Sequence, residues 1–190
     1  MLEIKKTEYR ENIEAFALAV VTILFIIIFI VQSFVVKGTS MEPTLRDGER
    51  LLVNKFIFRL RPPKIGDIIV LKYPKNPTKK FIKRVIAVPG QSVSILNSKV
   101  YVDGIEIKEA YINEKTASDY DFVTVPEQKV FVMGDNRNCS KDSRDPDVGF
   151  VPYGNIVGKA MVIFWPIPKM ELLLNPKYPQ ELEEYSYSDY

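Results

Sequence analysis

Residues 15–36, AFALAVVTILFIIIFIVQSFVV, run for 22 positions without a charge. As a helix such a segment reaches roughly 33 Å, enough to cross a hydrocarbon layer of about 30 Å. A buried helix of that length in a soluble protein normally shows a polar stripe, and this one has none. A cleaved secretion signal would have an apolar core of about 7 to 15 residues and a small-residue cleavage site. Residues 32–37, QSFVVK, offer no such site. The sequence therefore predicts an uncleaved transmembrane anchor, with Gln32 and Ser33 at the interface. Lys5, Lys6 and Arg10 precede it and Lys37, Arg46 and Arg50 follow, so the positive-inside count leaves the orientation open.

The rest of the 190 residues suit one compact domain with short appendages. Residues 1–14 read as a polar arm and 37–170 as a mainly β domain. Short runs rich in Val, Ile, Phe and Tyr recur there between Gly, Pro, Asn and Asp turn signals. Strands are predicted at 51–58, 67–73, 80–88, 92–96, 99–102, 123–125, 129–133 and 156–164. Asn97-Ser98 and Asp103-Gly104 mark tight turns of a meander. Residues 171–190 hold five acids and one lysine and are predicted to be a polar, flexible tail, although the early ELLL has the means to pack.

Composition excludes several chemistries. The chain has no histidine and a single cysteine, so Ser-His-Asp and Cys-His catalysis, histidine-ligated zinc and an intrachain disulfide are all closed to it. The formal charge of +2, with no basic block interleaved with aromatics, gives no sign of a nucleic-acid partner.

A serine nucleophile without histidine needs another base, and a neutral lysine is one. Ser40 lies in GTSMEPTL, directly after the apolar run, and Lys83 in FIKRVIAV. On a strand Phe81, Lys83, Val85 and Ala87 share one face, with Ile82, Arg84, Ile86 and Val88 on the other. Apolar neighbours would lower the Lys83 pKa by disfavouring its ammonium. A lysine snorkelling to solvent from an edge strand fits the same pattern. A third cluster, GDNRNCSKDSRDPD from Gly134 to Asp147, is rich in Asx-turn formers. Its acids have oxygen-ligand chemistry, but Arg137, Lys141 and Arg144 interleave with them and the calcium-loop spacing is missing. Structural ion pairs are predicted there, and no metal.

These segments together resemble the bacterial type I signal peptidases, the leader peptidase family, in its compact Gram-positive form. SMEPTL (40–45), GDIIVLKYP (66–74), KRVIAVPG (83–90) and GDNRNCSKDSR (134–144) match four family motifs in order. The resemblance implies Ser40 as nucleophile and Lys83 as general base. It implies Ser140 as the hydroxyl that orients the lysine, and the Ser40 backbone N–H as oxyanion donor. Asp142 with Arg144, and Arg84 with Asp135, correspond to supporting residues, and Met41 is the candidate for substrate contact. The implied fold is a coiled antiparallel β structure related to the self-cleaving SOS repressor core. The implied substrates are secretory preproteins with small residues at the first and third positions before the cut. No cofactor is implied. The bilayer is a partner, with the secretion machinery a further one, the arm cytoplasmic and the catalytic domain outside. Gly38 departs from relatives that carry a hydroxyl donor there, and Gln91 stands where an acid often follows Pro-Gly. The lack of histidine excludes the branch that uses histidine as base. Two other readings of the chain are a membrane-tethered β module that binds extended peptides, and a specialised peptidase for one envelope substrate.

Overall fold

The computed structural model describes residues 2–184, with side chains described for 10–25 and 30–182. Helix α1 (Leu2–Phe29) absorbs the polar arm and the first part of the apolar run. It ends where ILFIIIF gives way to VQSFV, whose Val and Phe side chains favour a pleated strand. That segment is strand β1 (Val31–Val35), laid antiparallel on β2 (Arg50–Asn54). The expected helix over 15–36 is corrected accordingly. Its uncharged helical part rises only roughly 22 Å. Among the described residues no helix is long and apolar enough to cross a membrane. The side chains of residues 26–29 lie outside the described residues.

A strand was also expected to continue to residue 58. Instead the Asn54 side chain accepts hydrogen bonds from the N–H groups of Phe56 and Ile57 at 2.8 and 3.0 Å, which turns the chain into the short helix α2 (Ile57–Leu60). Strands β3 (Ile68–Tyr73) and β4 (Asn76–Ala87) then form a hairpin. A meander follows: β5 (Ser92–Leu96), β6 (Lys99–Val102) and β7 (Ile105–Glu106). Asn97 and Ser98 adopt φ of 52° and 65° between the first two, the left-handed pair that matches strand twist in a two-residue hairpin. The remaining strands are β8 (Tyr120–Thr124), β9 (Lys129–Met133), β10 (Val151–Pro152), β11 (Ile156–Trp165) and β12 (Glu171–Leu172), before helix α3 (Gln180–Glu184).

The strands form an eight-stranded sheet ordered β1-β2-β11-β3-β4-β9-β10, with β12 on β11, and a four-stranded sheet ordered β7-β6-β5-β8. The pairs are antiparallel throughout. The mainly β, antiparallel class read from the sequence is therefore the observed one. Strand β4 crosses the molecule and contributes to three apolar clusters: Ile82 packs with Val53 and Val70, Val85 with Ile69 and Leu71, Ile86 with Phe131. A register shift between Val85 and Ala87 rotates the strand end, so Ala87 joins Ile86 and Val88 joins Val85. Simple alternation had put both on the opposite faces; the bulge reverses them.

Residues 171–184 also depart from the flexible tail expected at 171–190. Leu182 is fully buried and Tyr178 nearly so, in the cluster around Ile86 and Phe131. Apolar side chains at 173, 178 and 182 give this polar stretch enough surface to dock. Residues 185–190, with the last three tyrosines, lie outside the described residues.

Candidate active site

Ser40 sits in a turn just beyond β1. Gly38 has φ +88°, and its N–H donates to Asp47 Oδ1 at 2.7 Å. The Glu42 N–H bonds Thr39 O at 3.0 Å and the Leu45 N–H bonds Met41 O at 2.9 Å. The late loop is tied to this turn. Asn136 donates from its backbone to Ser40 O at 3.1 Å and from its side chain to Thr39 O at 3.2 Å. A Cβ at Gly134 would collide with both Ser140 Oγ and the Ser40 carbonyl oxygen, so this close approach demands glycine.

Lys83 lies opposite Ile69 on β3 and is 3% exposed. Its Nζ stands 2.7 Å from Ser40 Oγ and donates to Ile82 O at 2.9 Å, with the Phe81 ring centroid at 5.4 Å. The solvent-facing reading of this lysine is thereby set aside. Burial pushes its pKa down from 10.5 to about 8; Asp142 and Asp135 oppose the shift and Arg144 reinforces it. A large share of the amine is then neutral near pH 8.

The expected supporting pairs form. Arg84 clamps Asp135 with two bonds, 2.9 Å from Nε and 2.6 Å from Nη2, and Thr44 Oγ1 adds a donor to Asp135 at 2.5 Å. Arg144 clamps Asp142 with two bonds of 2.8 Å, while Asp142 accepts the Gly134 N–H at 2.9 Å. Lys141 pairs with Asp147 at 2.6 Å and Asp145 at 3.5 Å. Acids of the late loop are thus held by its own cations and by Arg84, as their interleaving suggested. Ser140 does not follow expectation: its Oγ is buried without a hydrogen-bond partner rather than bonded to Lys83. Met41 is 2% exposed in the core with Leu45 and Val53, and is among the residues that line the neighbouring cleft.

That cleft, of about 470 Å³, opens beside Ser40 and Lys83. One wall is residues 34–36 at the end of β1, an edge strand. The other is Thr78, Lys80, Phe81 and Ile82 of β4, whose outer edge is unpaired because β9 joins only from Arg84 onward. Sequence reasoning missed Phe34, Val35 and Val36 as site residues by assigning them to the helix. The polar Gln32-Ser33 within the apolar run was the signal available. Tyr111 and Glu109 were also missed. Tyr111 stacks 4.0 Å below the Arg84 guanidinium, and Glu109 pairs with Arg137 at 2.5 Å. Nothing in their local sequence announces it.

The family described as signal peptidase, peptidase S26, matches residues 9–165. The chain belongs to that family. It is 42% identical over 164 residues to the probable signal peptidase I-1 of Synechocystis sp., covering 83% of each chain. It is 36% identical over 172 residues to signal peptidase I of Bacillus licheniformis, covering 85% of this chain and 91% of that one. A crystal structure of a signal peptidase I from Enterococcus faecalis V583 aligns at 32% identity and a TM-score of 0.46, over 51% of this chain and 95% of that one. The S26 match spans both Ser40 and Lys83, the two groups that meet in the cleft.

Proposed function

We propose that this S26 peptidase removes signal peptides from secretory preproteins, with Ser40 as nucleophile and Lys83 as general base. The observation that carries the reading is a buried amine 2.7 Å from a serine hydroxyl at the mouth of a cleft. An extended substrate would add to the open edges of β1 and β4 and present alternate side chains to the walls. Small residues at the first and third positions before the cut are the preference that the family resemblance implies, and buried Met41 is the candidate contact.

Neutral Lys83 takes the Ser40 proton as Oγ bonds to the scissile carbonyl carbon. The bond to Ile82 O restrains the amine and directs its lone pair at Ser40. Ser40 N–H stabilises the oxyanion. Collapse breaks the C–N bond, and the lysine ammonium gives its proton to the departing amine. Lys83 then deprotonates water, which attacks the acyl-serine and frees Ser40.

We further propose that α1 seats the enzyme in the membrane. Apolar side chains from Ile13 to Phe25 are exposed along this helix, Phe16 at 71% and Leu18 at 68%, a surface that lipid would cover. Purified wild-type, Ser40→Ala and Lys83→Ala proteins, each offered a model preprotein, test the chemistry. Cleavage by the wild type and its loss in both variants is expected; undiminished turnover by either variant rejects the dyad. Alkaline extraction of cell membranes tests the anchor, which release of the protein into the supernatant would reject.

A further inference from the structure

Every charged side chain that lines the cleft is a lysine: Lys37, Lys80, Lys83 and Lys141. Lys83 belongs to the reaction, and Lys141 is neutralised by Asp145 and Asp147. Lys37 and Lys80 are exposed and form no ion pair among the described residues. They stand on opposite walls, one just past β1 and one on β4. Lys80 leans across the groove, its Nζ 5.2 Å from the Phe34 ring centroid.

A second observation points the same way. Lys80 lies directly opposite Lys72 in the β3–β4 ladder, and Lys79 adjoins it. Like charges facing each other across a ladder are destabilising. Of the carboxylates near the site, Asp135 pairs with Arg84 and Asp142 with Arg144, while Asp47 accepts the Gly38 N–H at 2.7 Å. Neither Lys37 nor Lys80 is ion-paired with any of these carboxylates, and a cleft concentrates the field of such cations.

We infer that the cleft selects extended peptides that carry Asp or Glu within a few residues of the scissile bond, recognised by Lys37 and Lys80. This deepens the peptidase reading and rests on it. A peptide is the favoured partner over an anionic lipid surface because these lysines line the groove that holds Ser40. The arginine suited to a headgroup, exposed Arg59, lies instead on α2, over Phe56, while Arg61 is held by Asp67.

The test uses the purified full-length protein in zwitterionic detergent. The substrates are peptides spanning a signal cleavage site, with Glu, Gln or Lys scanned through the flanking positions. The wild type should prefer Glu over Gln at one or more positions by about two- to fivefold in kcat/KM per charge pair at low salt. Lys should be worst, and the differences should shrink with added salt. In Lys37→Gln/Lys80→Gln the Glu-to-Gln ratio should fall toward one, and in Lys37→Glu/Lys80→Glu it should invert. A merely structural role cannot produce that inversion. Equal cleavage of Glu and Gln peptides at every position, or a ratio unchanged in both variants, overturns the inference. So does a loss confined to binding of phosphatidylglycerol vesicles, which would make lipid the partner. Failure to cleave any peptide would instead strike the peptidase reading itself.

Discussion

An amine beside a hydroxyl serves as a base only while it is neutral, so the burial of Lys83 matters as much as its 2.7 Å approach to Ser40. With the Lys83 pKa lowered to about 8, kcat/KM should rise with pH through a limb near 8. Below that limb the ammonium has no lone pair, and above it the neutral form is saturated. A pH–rate profile checks this, and a limb near 10.5 would contradict it. Lys83→Arg should be inactive, because a guanidinium stays protonated. Arg84 carries a different burden. Truncation in Arg84→Ala strands a fully buried Asp135, and should cost roughly 3 kcal/mol or more, readable as a drop in the urea midpoint. At this scale Ser40 and Lys83 were legible because a chain without histidine has few other bases. Thr44, Glu109 and Tyr111 were not, since their partners lie tens of residues away and each has an ordinary local sequence.

At the scale of elements, the carboxyl-terminal segment behaves as a strap. Tyr178 and Pro176 cover Gly66 so closely that a Cβ there would come within 2.8 Å of the Tyr178 ring. Asn175 donates to Asp67 at 2.9 Å, and Arg84 donates to Gly66 O at 3.2 Å. The strap thus backs the strand that carries Lys83. Leu182→Ala, emptying a fully buried site, should cost about 2–4 kcal/mol in chemical denaturation; an unchanged midpoint would mean the strap is dispensable. Helix α2 leaves Phe56 partly exposed and Leu60 71% exposed, close to the end of α1, where the Lys55 N–H bonds Ile30 O at 2.9 Å. Cations stack on its rings. Such a patch suits a headgroup interface, so Phe56→Ser should weaken flotation of the protein with anionic liposomes at low salt. Equal flotation of both proteins would remove α2 from the interface.

For the molecule as a whole, Asp67 joins the parts. Its carboxylate, fully buried, meets Arg61, Lys159 and Asn175 from three separate segments. Burial alone would raise its pKa, but the hydrogen bonds from Arg61, Lys159 and Asn175 hold it below 3.8. A group lowered on folding contributes stability that is fully present above the unfolded value and is lost as pH falls through the folded one. Wild type should therefore lose stability below about pH 4 more steeply than Asp67→Asn, as pH-dependent thermal melts would read out; parallel curves would refute the hub. What the sequence determined by itself was local. Two-residue turns at 97–98, the meander around them, most strand positions, and the residue types of the four motifs all follow from short-range chemistry. Tertiary structure alone decided that VQSFV leaves the helix to become a cleft wall, that a bulge turns Ala87 and Val88 over, and that the acidic end docks. A short apolar run satisfies helix and strand alike. The choice falls to partners such as β2 and Gly66, whose distance along the chain no local pattern encodes.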